Sequence, residues 1–565
     1  MTKSSTDPHR PPDNAFWFLP LGGSGEIGAN MNLYGTQGKW LMVDCGITFG
    51  EERSLGADVL VADADFITQR RDDLVGLVLT HGHEDHLGAI EYLWPHLQCP
   101  VYATPFSAGL LRAKLSWRRH GAPQVRIIET PIEHQWNLGP FQLETIAVTH
   151  SIPEARMVAI TTKHGTILHT GDWKIDPHPQ KGPLINQAAL RALGDRGLMS
   201  VVGDSTCANA TSAGHSNSEE DVKNELISLF GNHKQLIGVT CFSTNAVRVG
   251  SIVEAAQAHG RHVVVAGRSL WRMIDIAQET GYLSKDATFL SVQDAESLPR
   301  DKIALICTGS QGEARAALAR MSVDSFPDFE LEAEDAIIFS SRDIPGNERP
   351  IARIRNNLLQ RGISVITWRD RPFVHASGHP YPDELTELYQ WTRPRMVVPV
   401  HGEYEHQTAH ADIAKKTGVE RSLISTNGVI IDLNPDGPGE VGRIETGKLV
   451  VDGRHLRPVR TGAMGHRRRM AEHGGIMVTL VMDQAGRLLQ DPRASLLGLG
   501  DNEGTADPQT QNQVAQAARR AVNEMAKSLR IEDAAVEQEV THALRRMIDR
   551  GHGKKPLIQI HIVRV

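Results

Sequence analysis

In the first third of this 565-residue chain, hydrophobic residues come in short runs broken by glycines and polar clusters rather than in long helical stripes. FWFLPL from Phe16, MNLYG from Met31 and KWLMVDCG from Lys39 predict three short strands, with GGSGEIGAN as a glycine turn after the first. Gly23-Ser24-Gly25-Glu26-Ile27-Gly28 has the G-x-G-x-x-G spacing of a dinucleotide-binding turn, and Asp44 lies near the distance of a ribose-binding acid. That fingerprint needs a helix to open at the glycines, whereas the pattern continues as strand, turn and strand, so the reading is rejected.

From Asp73 to Val201, strands such as LVGLVLT, VYATP, FQLETIAVTH and GTILHTGD alternate with shorter helical patterns such as GAIEYLWPHL, and the strands end in polar residues. Between about residues 217 and 370 the texture becomes a regular strand and helix alternation: QLIGVTCF, AVRVGSIVEAAQAHG, HVVVAG, LWRMIDIAQETG, IALICTG, EARAALARM. This is the pattern of a parallel sheet, expected as a domain inserted in the first. Residues 436–470 are rich in Gly, Pro and Arg; a strand GIMVTLVMD, two amphipathic helices over about 508–549 and the alternating LIQIHIVRV follow. The fold class expected is α/β. The domains are a polar extension 1–15, a core in two parts (16–208 and 373–447), an insertion 209–372, a linker 448–470 and a small α+β domain 471–565.

Composition changes this picture little: 40% hydrophobic and 22% charged residues suit a globular chain of several domains. A net charge of −7 provides no global positive field, so a polyanion would have to meet a local basic groove. Cys45, Cys99, Cys207, Cys241 and Cys307 form no CxxC pair, which predicts a reduced, cytoplasmic setting. No apolar leader and no run of roughly 18 apolar residues occurs, so neither export nor a membrane anchor is expected.

The candidate chemistry lies in THGHEDHLGA. If LVGLVLT is a buried strand, the loop at its end can set His81 and His83 around one metal ion and leave Asp85 and His86 to face a second. Imidazole nitrogens and carboxylate oxygens are what Zn²⁺ accepts, and Mn²⁺ also fits such a set. Further ligands are expected at other strand ends: His150 after IAVT, Asp172 after TILHTG and His401 after MVVPV. With Asp172 bridging, His81, His83 and His150 would serve one ion and Asp85, His86 and His401 the other, the two-metal device for displacement at phosphorus. Glu84 is expected to face solvent or support the ligands, and Asp44 to orient a ligand histidine.

HGHEDH, VTHS, TGD and VDCG resemble the successive motifs of the metallo-β-lactamase fold. GDST with Asp204, HASGHP with His379 and PVHGEY with His401 resemble motifs A, B and C of its β-CASP nuclease branch. GGSGEIGAN, HTGDWKID, GHSNSEE, GRSLWRM, CTGSQGEARAAL and SSRDIPGNE are similar, in order, to ribonuclease J over roughly residues 17 to 455, with a weaker echo at the C-terminus. The resemblance implies an αββα core interrupted by a β-CASP domain, a C-terminal domain that makes homodimers or homotetramers, and two Zn²⁺ per subunit. It also implies a 5′-to-3′ exonuclease on RNA favouring 5′-monophosphate ends, with endonuclease activity besides, acting in RNA maturation and decay. Carried over, His375, Ser377 and His379 hold a phosphate, the histidines as protonated donors, and His379, oriented by Asp204, protonates the leaving 3′ oxygen.

The sequence departs from the family at Cys207, where Asn usually follows DST, and lacks a basic residue often found before the GHSNSEE turn; this bears on local RNA contacts and not on the metals. Thr308, Gly309 and Ser310, between the strand IALIC and the helix EARAALARM, are candidate phosphate binders through backbone N–H groups and the helix dipole. Arg268 and Arg272 are candidates to line a channel, while Trp271 reads as core and Arg467-Arg468-Arg469 as solvated linker. The competing readings are a small-molecule hydrolase, a non-catalytic scaffold of an RNA-processing complex and a DNA-processing nuclease of the same branch. The inserted domain argues against the first and the intact ligand positions against the second.

Overall fold

The computed structural model describes residue 7 and residues 9–50, 58–116, 123–211, 214–327, 329–344, 346–499 and 508–565. Of the expected polar extension 1–15, residues 1–6 and 8 lie outside them. The chain forms two compact units, one of residues 1–49 and 60–447, the other of residues 50–59 and 448–565.

In the first unit, Trp17–Gly22 pairs antiparallel with Met31–Thr36, which pairs with Lys39–Val43. The glycine stretch is therefore the turn of a hairpin, with Gly23, Gly25 and Gly28 at φ of 83°, 79° and 88°, a backbone that side chains disfavour. These strands belong to an eight-stranded sheet that continues through Leu74–Val78 and Val101–Ala103. A seven-stranded sheet holds Phe141–Ala147, Arg156–Thr162, Gly165–His169, Leu198–Asp204 and Met396–Val400. Alternate residues of both sheets point into one core, where Phe18, Tyr34, Val43 and Val78 meet Leu143, Val158, Val202 and Val398. Helices Gln187–Asp195 and Pro382–Thr392 cover the outer face of the second sheet through Leu190, Leu193, Leu385 and Leu388.

The insertion is a five-stranded, all-parallel sheet in the order His262–Ala266, Ile303–Cys307, Ile237–Thr240, Ala336–Phe339, Ser364–Ile366. Its strands are near-continuous runs of Val, Ile and Ala because both faces are buried, one under Val249, Ile252 and Met273, the other under Leu318, Ile351 and Leu358. One expectation changes here. EARAALARM does not form a helix from its first residue; the helix is confined to Ala317–Met321, after a turn in which Gly312 N–H donates to Gly309 O.

The second unit corrects another. Residues 448–470, expected as a linker, form the hairpin Lys448–Asp452 with His455–Pro458 and most of the helix Gly462–His473. Arg467 of that helix pairs with Asp452 at 2.8 Å, so part of the arginine run belongs to structure. Next, Gly475–Met482 lies between Arg493–Leu497, antiparallel, and Leu557–Arg564, parallel. Helices Pro508–Glu524 and Asp533–His552 bury Val514, Ala518, Val536, Val540, Leu544 and Ile548 in a shared core with the sheet.

Candidate metal centre

Five of the candidate residues stand at the end of a strand. His81 follows Leu74–Val78, His150 follows Phe141–Ala147, Asp172 follows Gly165–His169, Asp204 ends Leu198–Asp204 and His401 follows Met396–Val400. A buried strand ends where its backbone must find polar partners, and here the partners are side chains from other strand ends. His81, His86, His150, Asp172 and His401 are all buried.

His83 Nδ1 lies 3.0 Å from both His81 Nε2 and His150 Nε2, and one oxygen of Asp172 lies 3.8 Å from each of the latter two nitrogens. Vertices of a tetrahedron around Zn²⁺ with bonds of about 2.0–2.1 Å stand roughly 3.3 Å apart, so the three nitrogens have the spacing of a ligand set. Burial, reinforced by neighbouring imidazoles, pulls His81 and His150 well below the usual histidine range, and burial pulls His83 down to about 4. All three are therefore neutral, the form that binds a metal.

The second group is Asp85, His86, Asp172 and His401. Asp172 Oδ2 is 3.2 Å from His86 Nε2, Asp172 Oδ1 is 3.0 Å from His401 Nδ1, and Asp85 Oδ2 is 3.2 Å from His401 Nε2. Burial alone would lift both carboxyls, but His401 and His86 hold Asp172 and Asp85 well below the usual range. Asp172 Oδ1 and His401 Nε2 are buried without a hydrogen-bond partner among the described residues. Carboxylate oxygens and imidazole nitrogens converging from four strand ends, with Asp172 Oδ1 left unpartnered among the described residues, are the donor set a cation takes. Asp172 is common to both groups, as a bridging carboxylate must be.

Asp44, at φ 62°, is fully buried behind these ligands: its oxygens accept from Thr80 N at 2.8 Å and Thr80 Oγ1 at 2.8 Å, and one contacts His86 Nδ1 at 2.7 Å. Its contact is with His86 Nδ1, while Nε2 of the same ring faces Asp172. Glu84 points away from the cluster, held by Lys114 at 2.6 Å. Asn30, within the GGSGEIGAN stretch, donates to Asp85 O at 3.2 Å and sits 3.1 Å from His86 Nε2. Its role was not legible as chemistry, since an Asn after a glycine turn reads as part of the turn.

His379 Nδ1 lies 2.8 Å from Asp204 Oδ2, and Asp204, Asp172, His379 and His401 again form one group. Burial opposes charge on His379, but Asp204 and Asp172 outweigh it and raise its pKa above the usual histidine value. Gly378 O accepts from His150 Nδ1 at 2.5 Å, tying the HASGH loop to the first ligand group. Ser377 Oγ accepts from His379 N at 3.2 Å and faces Cys207 Sγ at 3.6 Å, so the family departure at Cys207 falls on this loop. Burial pushes the Cys207 thiol up to about 11, so it is no thiolate. His375 corrects an expectation: burial, with Arg248, Arg342 and Lys174 nearby, holds it well below the usual range, so it is neutral rather than a protonated donor.

The candidates on TGSQG separate. Gly309 and Ser310 are buried, Thr308 N–H donates to Ala266 O, and the five-residue helix beyond supplies little dipole, so only Thr308 faces a groove. That groove, about 520 Å³ at the carboxyl ends of two parallel strands, is lined by Arg268, Arg272, Thr308, Arg315, Arg320 and Trp271, which also packs against the core.

Known proteins carry the same parts. Residues 24–192 match the metallo-beta-lactamase superfamily and residues 371–424 a Zn-dependent metallo-hydrolase RNA specificity domain. Residues 234–358 match the beta-CASP domain of ribonuclease J and 462–565 the ribonuclease J C-terminal domain. A solved protein of unknown function from Enterococcus faecalis shares the fold, with a TM-score of 0.53 at 13% identity over 74% of this chain and 99% of its own. Fold and site together define a metal-dependent nuclease of the metallo-β-lactamase superfamily with a β-CASP insertion. The chain is 39% identical to the ribonuclease J of Sinorhizobium meliloti, covering 98% of each, and 36% identical to that of Mycolicibacterium smegmatis, covering 96% of each. It belongs to the ribonuclease J family.

Proposed function

We propose that the chain is a two-metal ribonuclease that removes nucleotides from RNA in the 5′-to-3′ direction, prefers 5′-monophosphate ends and also cuts internally. The observation that carries this reading is the His379–Asp204 pair, 2.8 Å apart, set against the carboxylate shared by both ligand groups. His81, His83 and His150 would hold one Zn²⁺, Asp85, His86 and His401 the other, and Asp172 both; Mn²⁺ suits the same donors. Bound there, the ions supply an activated water and charge stabilisation for an in-line displacement at phosphorus.

The protein's own groups do the rest. Asp204 occupies His379 Nδ1, which leaves the proton on Nε2 to be handed to the departing 3′ oxygen. His375, neutral, and the Ser377 hydroxyl donate hydrogen bonds to a phosphate held beside the metals. Arg268, Arg272 and Thr308 take the RNA backbone beyond. Chains associate as dimers or tetramers through the C-terminal unit, where Met477 and Leu497 lie exposed on the sheet.

The test is one RNA oligomer labelled at its 5′ end and carrying either a 5′-monophosphate or a 5′-triphosphate, with Asp85→Ala, His86→Ala as control. Release of labelled mononucleotide, faster from the monophosphate and abolished in the control, is expected. Internal fragments alone, indifferent to the 5′ end, would remove the exonuclease assignment; cleavage of DNA only would remove RNA.

A further inference from the structure

Behind the His379–Asp204 pair lies a buried histidine that belongs to none of the motifs. His410, on the helix Tyr404–Lys416 that follows His401, is fully buried with both ring nitrogens engaged: Nδ1 stands 2.9 Å from Ser205 Oγ, and Nε2 meets the Tyr389 hydroxyl. Tyr389 lies on the helix Pro382–Thr392, which starts three residues after His379, and Ser205 directly follows Asp204. One imidazole therefore joins the strand that ends in Asp204 to the two helices that follow His379 and His401. The ring also lies against the backbone, since a Cβ at Gly203 would stand 3.2 Å from His410 Cε1. Burial pulls His410 down to about 4, so the ring is neutral, with one N–H and one bare nitrogen. Ser205 Oγ donates to Gly203 O at 3.4 Å, so the imidazole donates from Nδ1 to Ser205 and accepts at Nε2 from Tyr389.

Polar groups cost more to bury than apolar side chains of similar size, and a buried network in which each member is satisfied holds the elements it joins in one arrangement. What is held here is the end of the strand Leu198–Asp204. Ser205 N donates to Val400 O at 2.9 Å, which ties the residue after Asp204 to the residue before His401, and the bond from His410 fixes the same residue through its side chain. Thr206 N and Oγ1 donate to Asp204 Oδ1 at 2.9 and 2.7 Å, which leaves Oδ2 for His379. We infer that His410 is a positioning residue: with Tyr389 it holds the Gly203–Ser205 backbone so that Asp204 keeps His379 aligned for proton transfer. The inference rests on the reading of His379 as the acid proposed above. The partners of His410 are two hydroxyls rather than metal ligands, so its loss falls on the proton transfer and spares the metals.

The experiment measures kcat, KM and metal content for full, metal-loaded chains of the wild type, His410→Phe, Tyr389→Phe and His379→Ala. Two RNA oligomers serve as substrates, one with ordinary linkages and one with sulfur in place of the bridging 3′ oxygen at the linkage that is cleaved. A thiolate leaves without first taking a proton, so only the oxygen substrate depends on the acid. In His410→Phe, kcat on the oxygen substrate is expected to fall about tenfold or more with KM and metal content unchanged, because a small displacement of the acid is costly, while kcat on the sulfur substrate falls little. Tyr389→Phe loses one hydroxyl and keeps its ring in the core; it is expected to show the same selective loss, smaller in size, and carries the test if His410→Phe does not fold. Equal losses on both substrates in these two variants, or none, beside a His379→Ala that loses only the oxygen substrate, overturn the inference and leave the acid reading standing. A His379→Ala that loses both substrates equally overturns both.

Discussion

Replacing Asp44 by asparagine isolates the support of the metal loop from the ligands themselves. The side chain keeps its size, and Asn tolerates the φ of 62° found there. The buried carboxylate has three contacts, with Thr80 N, Thr80 Oγ1 and His86 Nδ1, at 2.8, 2.8 and 2.7 Å. An amide has one accepting oxygen. Whichever way it turns, its NH₂ meets a donor, and one buried donor is left unsatisfied at a cost of about 1–3 kcal/mol. The negative charge that holds the proton on His86 Nδ1, and so leaves Nε2 as the atom to be given to a metal, is gone. Loss of such a partner lowers metal affinity about 10–100-fold, which is about 1.4–2.7 kcal/mol. The assay is metal content by mass spectrometry after equilibration against graded chelator. One ion is expected to leave Asp44→Asn at lower chelator concentration than the wild type, with nuclease activity falling in step, while the ion of His81, His83 and His150 persists. Release curves that superimpose would refute the assignment of Asp44 as the residue that orients His86.

Other expectations follow from packing. A Cβ at Gly46 would stand 1.7 Å from Asp85 O, so Gly46→Ala must shift the metal loop, and its turnover should fall about a hundredfold with the thermal midpoint less affected. Glu219 and Arg248 form a buried pair at 2.8 Å joining two helices of the insertion; Glu219→Gln leaves Arg248 uncompensated and should cost about 3–5 kcal/mol in denaturant unfolding. Burial alone would raise Glu219, but Arg248 outweighs it and holds its pKa below the usual 4.5, so this stabilisation is fully present above that pH and lost as pH falls below it. Wild type and Glu219→Gln should therefore converge in stability in acid, measured by urea unfolding at a series of pH values. Leu544→Ala empties a fully buried position in the C-terminal unit and should cost about 2–5 kcal/mol, read as a lowered unfolding transition of that unit.

What the sequence alone determined about this protein is what short-range spacing carries. His81 and His83 stand two residues apart at a strand end, and Asp85 and His86 follow directly, so one loop presents a ligand pattern whatever the rest of the chain does. Hydrophobic runs of strand length, alternating with helical ones, declared the parallel insertion, and the missing helix after the glycine turn excluded a dinucleotide site. Where local signals were weak the reading failed: a Gly-, Pro- and Arg-rich stretch at 448–470 looked like linker because its hairpin buries little, and EARAALARM has helical periodicity that its turn interrupts.

Only the tertiary structure decided which groups are charged and which side chains share a pocket. That His375 is held well below and His379 raised above the usual histidine range follows from burial and from cations and carboxylates brought in by other elements, which no spacing within HASGH encodes. Cys207 against Ser377, Arg342 between Trp368 and Tyr381, and Asp44 behind His86 join residues far apart along the chain. The physical reason is that ligand identity is a property of the residue, whereas ionisation, orientation and specificity depend on dielectric and neighbours, and those exist only once the sheets have packed.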